Sequence, residues 1–285
     1  MKSGFLYQYY YLWSVALLIP AWAVIFFKKR RTWEEMIYIG ILCGAGAMFF
    51  DRYVSFRDYW RPPTISDIYN FESFLYGFFF GGISAKIYEF VSKTEYVPTS
   101  GPNPLFAMGM IILNSMVFVT MVLLFRLNSV ENFVCMLLST SVLFLMVRPA
   151  LFKVCLGSGV IMVGLNMCWY GIILSIYPDV FKDIWLPSKQ EGMTIFNVPV
   201  MEHWFIFAVG CSGSLFYKAV SKTKQERSTL SVHSNNNAPV LTWKSLSSGI
   251  KEAGVPLTIL FIVIARMVLF GKAPINLGKI LHLFH

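Results

Sequence analysis

The chain is short of charge. Of its 285 residues only 14% are Asp, Glu, Lys or Arg, against 56% hydrophobic and 17% aromatic. Soluble domains carry about a quarter charged residues. Apolar surface at this density cannot all be hidden in one soluble core, which excludes an ordinary soluble enzyme and makes lipid the solvent for much of the chain. Acids are the scarcer sign, 15 against 24 Lys and Arg, for a net charge of +9. That excess does not point to nucleic acid, because the cations sit at the ends of apolar runs, as in Lys28-Lys29-Arg30-Arg31. Membrane proteins set their orientation this way, and no nucleic-acid partner is expected.

Cysteine is sparse too. Cys43, Cys135, Cys155, Cys168 and Cys211 all lie inside apolar runs and form no CxxC pair, which excludes a disulfide framework and a zinc ribbon and leaves small packing residues. The GAGAM stretch (Gly44–Met48) lacks GxGxxG spacing, and Walker, HExxH, GxSxG and aspartate-rich pair motifs are absent. Nucleotide, zinc, redox and diphosphate chemistry lose their usual supports, and no cofactor or metal is expected.

What the chain has is apolar runs, at about Tyr9–Phe27, Trp33–Phe50, Phe71–Val91, Leu105–Phe125, Val130–Val147, Phe152–Tyr177, Val200–Val220 and Val255–Phe270. Several approach the roughly 20 residues that a hydrocarbon slab requires. The expected fold is all-α, a polytopic transmembrane bundle of about eight helices. The first run is too long for a signal-peptide core and is followed by four cations, so it is read as a retained helix. Ser221–Gly254, containing SVHSNNNAP, reads as a surface loop. With the N-terminus outside, the inner face receives the larger share of Lys and Arg, including Lys28–Arg31, Lys93, Arg148 and Lys153.

A duplication runs through these runs. FRDYWRP (Phe56–Pro62) matches FKDIWLP (Phe181–Pro187), and Glu72–Thr94 matches Glu202–Thr223 with one residue fewer, so that Gly81 pairs with Gly210 and Tyr88 with Tyr217. Two blocks in the same order argue for two three-helix repeats. The chain divides into a first repeat (1–95), a connecting helix (96–129), a second repeat (130–225) and a polar loop with a C-terminal helix (226–285). The connecting helix turns the chain round and makes the repeats parallel, whereas many transporters use inverted ones.

An ionisable residue in an apolar helix is unfavourable by about 2.5–3.5 kcal/mol at mid-membrane on insertion scales, and is a functional candidate by default. Glu72 and Glu202 open long aromatic helices at matching places and are the catalytic candidates; the plainer reading is a carboxylate at a helix start, favoured by the macrodipole. A carboxylic acid kept neutral in such a site donates a proton at neutral pH. Trp60 and Trp185 in the preceding loops are read either as interfacial belt residues or as π-faces for developing positive charge. Phe74, His203 and Trp204, with Tyr59, Tyr69 and Phe205, extend that wall, and Asp51 at the end of the second helix joins them as a substrate-binding candidate. Lys86, Glu89 and Lys218, near the opposite interface, are read as snorkelling side chains. Arg266 has no nameable partner, and Asn114 and Asn166 read as helix–helix hydrogen-bonding residues.

On these residues the chain resembles the lycopene cyclase-domain family of small integral-membrane carotenoid cyclases, found as heterodimers or as one fused chain. That family typically shows, in each three-helix repeat, a Trp-bearing loop and then a Pro-x-Glu-Glu/Asp motif opening an aromatic helix that ends near Tyr-Glu. Here NVPVMEHWFIFAVGCSGSLFYK carries Pro199 and Glu202, and IYNFESFLYGFFFGGISAKIYE carries Glu72, Tyr88 and Glu89. The paired acids become Glu72-Ser73 and Glu202-His203, Asn70 stands near the expected proline, and Pro199 to Glu202 is one residue longer. The resemblance implies a redox-neutral, acid-initiated cyclisation of a lipid-soluble polyene or other isoprenoid, with Glu202 as the acid and Glu72 as second acid, base or orienter. Membrane lipids are the surroundings, and homo- or hetero-oligomerisation is left open. A non-catalytic membrane subunit or lipid-binding protein is the rival reading, and a small transporter a third.

Overall fold

A computed structural model describes residues 4–29, 33–65, 70–125, 127–186, 193–221 and 223–227. The helix expected at Val255–Phe270, Arg266, Tyr69 and most of the Ser221–Gly254 loop lie outside the described residues. The described chain is an all-α bundle, and it has five helical stretches long and apolar enough to cross a membrane.

The first apolar run is not one helix but three, α1 (Phe5–Gln8), α2 (Tyr10–Ala16) and α3 (Ile19–Lys28). Pro20 lies in the first turn of α3, where its missing N–H is tolerated, whereas within a continuous helix it would remove a bond to the preceding turn. Helix α4 (Trp33–Phe50) runs directly into a π-helical turn, Asp51–Ser55, and a short α5 (Phe56–Asp58). Next come α6 (Phe71–Ser92), strand β1 (Thr94–Pro98), α7 (Pro104–Phe125) and α8 (Ser129–Val147). After a 3-10 turn follow α9 (Phe152–Ile176), α10 (Val180–Ile184), the two-residue strands β2 (Thr194–Ile195) and β3 (Val198–Pro199), α11 (Val200–Val220) and β4 (Thr223–Arg227).

Helices α6 and α11 form the centre, with α4 along α6 and both α8 and α9 along α11. Small residues set these close approaches. A Cβ added at Gly77 would lie 2.4 Å from the Cys43 carbonyl oxygen, and one at Gly213 would lie 2.0 Å from Ser84 Oγ. Between helices in lipid, where the hydrophobic effect supplies no drive, such contacts supply the attraction. Helix α7 presents mostly apolar side chains outward and is fastened to α8 by a hydrogen bond from Thr140 Oγ1 to Asn114 Oδ1, the helix–helix role expected for that asparagine. Helix α8 starts in a capping box. Asn128 Oδ1 accepts from the Glu131 N–H at 2.9 Å, and Glu131 Oε2 accepts from the Asn128 N–H at 3.0 Å. Asp58 of α5 also accepts from the Ser129 N–H at 2.8 Å.

The two motif segments meet at one end of the bundle. Trp60 and Trp185 form an antiparallel bridge, with the Arg61 N–H donating to the Ile184 carbonyl at 2.8 Å and the Leu186 N–H to the Tyr59 carbonyl at 3.0 Å. Beyond the C-termini of α6 and α11, β1 and β4 pair antiparallel, with Tyr96 opposite Gln225.

Lys86, Glu89 and Lys218 do not snorkel. All three are fully buried, and with Glu35 they form a closed four-charge cluster linking α4, α6 and α11. Lys86 lies 2.5 Å from Glu35 and 3.0 Å from Glu89; Lys218 lies 2.8 Å from Glu89 and also pairs with Glu35. Snorkelling is the resort of a lone charge, and these charges meet one another inside the bundle. Two acids and two bases neutralise one another, and the Tyr96 N–H and Ala85 carbonyl take up remaining capacity at 3.0 and 3.1 Å.

Candidate active site

Glu202 stands in the first turn of α11, placed there by the β2–β3 hairpin. Its two loop residues, Phe196 and Asn197, have φ of 52° and 61°, the left-handed pair required by the tightest hairpin turn. The Val200 N–H then bonds the Met193 carbonyl at 3.0 Å, so that the hairpin delivers the chain directly into the helix. The Glu202 side chain is buried, and among the described residues no cation pairs with it. Oε1 accepts from the Tyr59 hydroxyl at 2.7 Å and from the Trp185 indole N–H at 3.0 Å; Oε2 accepts from the Tyr170 hydroxyl at 2.8 Å.

A second buried acid lies on the other side of the tryptophan bridge, and it is Asp51 rather than Glu72. Asp51 opens the π-helical turn, a rare local geometry that recurs at functional sites. Its Oδ1 accepts from Ser55 Oγ at 2.6 Å and shares the Trp60 N–H, 3.4 Å away, with Ser55 Oγ at 3.0 Å. Its Oδ2 accepts from the Tyr11 hydroxyl at 2.8 Å. Ser73 Oγ lies 3.2 Å from the same hydroxyl.

Aromatic rings fill the space between the two carboxyls. The Trp60 and Trp185 ring centroids are 5.4 Å apart. Tyr11 stands edge-on to Trp60 at 5.0 Å, Phe181 lies 4.6 Å from Trp185, and Tyr76 lies 6.1 Å from Trp60 and 6.0 Å from Trp169. The Tyr10 hydroxyl is buried beside Trp185 with no hydrogen-bond partner among the described residues. Burial pushes the Tyr59 phenol well above its ordinary value, which keeps it a donor.

Of the residues expected from sequence, Glu202, Trp60, Trp185, Tyr59 and Asp51 come together. Glu72 is buried, but its Oε1 accepts from the Ile65 N–H at 2.7 Å and its Oε2 has no partner among the described residues, so its bond goes to the loop. His203 is nearly buried against the hairpin, its Nε2 3.5 Å from the Ile195 carbonyl. Trp204 contacts Phe207 at 5.9 Å, and Phe205 contacts Phe133 at 5.8 Å. Phe74 stacks between Phe71 and Phe78 and covers Gly44, a packing role in the α4–α6 seam. Tyr11 and Tyr170 went unread in the sequence. The available signal was a hydroxylated aromatic inside an apolar helix, since a buried phenol requires an acceptor. No group of His, Cys, Asp and Glu among the described residues is placed to hold a metal ion.

Chemically, the arrangement offers two carboxyls without cationic partners among the described residues, hydroxyl and indole donors that orient them, and π-faces beside both. Comparison with known proteins gives one match, between residues 128–220 and the family model described as Lycopene cyclase. No curated protein and no solved structure matches the chain. The matched stretch covers a third of the sequence, from α8 through α11, and includes Tyr170, Trp185 and Glu202, whereas Asp51 and Trp60 precede it. Residues 128–220 thus match the family model that the resemblance read from the sequence points to.

Proposed function

We propose that the protein is an intramembrane cyclase of a carotenoid or other isoprenoid, working without net oxidation or reduction, with Glu202 as the acid that starts the reaction. The observation that carries this reading is the Glu202 carboxyl, buried among Tyr59, Tyr170 and Trp185 with no cation beside it among the described residues. An ion-paired carboxylate holds no proton to give. A buried carboxyl with no cation beside it is able to hold one, and Oε2, whose donor among the described residues is Tyr170, has a lone pair to carry it.

In this scheme Glu202 transfers its proton to the terminal double bond of a linear polyene, leaving a tertiary cation. The π-pair of a nearby double bond closes the ring, and a proton then leaves to form the ring alkene. Trp60, Trp185 and Tyr76 offer π-faces to the travelling charge, and burial keeps out the water that would trap it as an alcohol. A polyene dissolved in the bilayer enters sideways between helices. The meeting of the Trp60 and Trp185 loops, and the pairing of Tyr96 with Gln225, support two repeats related by an axis along the membrane normal. An N-terminus on the outer face belongs to the same reading.

The test is co-expression in a host that accumulates lycopene. Cyclic carotenes are expected, and Glu202→Gln abolishes them while inserting normally. Unchanged linear carotene as the only pigment, from a correctly inserted chain, overturns the proposed substrate.

A further inference from the structure

The two buried acids are bonded alike although they sit on different helices. In each, one oxygen faces the indole N–H of the adjacent tryptophan and one further hydroxyl: Oε1 of Glu202 with Trp185 and Tyr59, Oδ1 of Asp51 with Trp60 and Ser55. In each, the other oxygen accepts from one tyrosine, Tyr170 or Tyr11, and so retains one lone pair for a proton. The two tryptophans touch, and Tyr76 lies 6.1 Å from Trp60. Their surroundings differ in one respect. The turn that carries Asp51 borders an open concavity of ≈ 500 Å³, lined by Arg52, Tyr53, Phe56, Arg61 and Asn70, among others. Neither carboxyl lines it, but Arg52 and Tyr53, which follow Asp51 in the turn, do.

Resting on the cyclase reading above, we propose that Asp51 is the second proton-transfer group of the centre, the base that removes the proton when the ring alkene forms. Each turnover then closes. Glu202 O–H breaks as the new C–H bond forms; the second double bond supplies the pair for the ring C–C bond. The Asp51 carboxylate takes a proton from the carbon beside the cyclic cation, and that C–H pair becomes the ring double bond. Asp51 then gives up its proton and Glu202 regains one, which restores both groups, and no electrons are exchanged with any other molecule. Which C–H bond Asp51 reaches decides where the ring double bond falls, so this residue sets the product isomer.

The experiment follows deuterium in membranes containing the full chain and linear carotene in D2O. Wild type is expected to give rings carrying one deuterium at the protonated carbon, and Glu202→Gln to give neither ring nor deuterium. Asp51→Asn is expected to lower ring formation by about 100-fold or more, while recovered linear carotene still gains deuterium, because protonation by Glu202 proceeds and reverses. Near wild-type cyclisation in Asp51→Asn, or loss of deuterium uptake together with the rings, overturns the proposal. Should Asp51→Asn fail to accumulate, Asp51→Glu decides. Moving the carboxylate by one methylene is expected to change the ratio of ring double-bond isomers, and an unchanged ratio overturns the proposal. A wild-type chain that makes no rings from any polyene refutes the cyclase reading, a result distinct from either outcome for Asp51.

Discussion

Trp60 and Trp185 lie 5.4 Å apart across an antiparallel bridge, and their indole N–H groups face different acids, Asp51 and Glu202. The bridge ties two loops far apart in sequence, so a change on one side is felt on the other. Trp185→Phe keeps the ring and removes one donor from Glu202. We expect a ring-formation loss of about tenfold or more, from the roughly 1–3 kcal/mol that a missing partner on a buried polar group is worth. Pigment yield per inserted chain checks it.

Tyr170→Phe strips the single donor from Glu202 Oε2, and Tyr59→Phe removes one of two from Oε1. Each is expected to lower thermal stability in detergent by about 1–3 kcal/mol, with the double variant differing from the sum because both act on one carboxyl. Additive losses would show the two hydroxyls to be independent.

Glu72 is bonded to the loop at Ile65. Glu72→Gln is expected to keep ring formation within a few fold of wild type while loosening that loop, which limited proteolysis reads out. Abolished cyclisation with unaltered proteolysis would return Glu72 to the chemistry.

The four buried charges predict a sharp contrast. Lys218→Met leaves Glu35 and Glu89 facing Lys86 alone and is expected to destabilise by about 3–5 kcal/mol. Adding Glu89→Leu leaves the Glu35–Lys86 pair at 2.5 Å intact and is expected to recover most of that loss. Thermal denaturation in detergent measures both.

Gly77→Ala places a methyl 2.4 Å from the Cys43 carbonyl oxygen. Backbone cannot yield as a side chain does, so α4 and α6 must separate, at about 1–3 kcal/mol. Gly46→Ala, with nothing within 4 Å, is expected to be neutral.

Much of the fold was legible because membrane helices announce themselves by length and hydropathy. Val200–Val220 and Trp33–Phe50 were read at their observed bounds. The break near Pro20 does not show in hydropathy, which averages across the proline. At the site, Glu202 stood out as an acid in an apolar helix. Asp51 was less conspicuous, because it has no equivalent acid at the matching place in the second half.

Composition and periodicity alone determined that this chain is helical, dissolves in lipid, and carries a few acids and tryptophans with little else to do chemistry. Those are one-dimensional properties, set by how each residue partitions between water and hydrocarbon. Which acid faces which tryptophan, that Tyr11 and Tyr170 complete the two carboxyls, and that four charges cancel in the interior were decided only by tertiary structure. A hydrogen bond or an ion pair depends on distance, and residues 40, 143 or 183 positions apart become neighbours only when the helices pack.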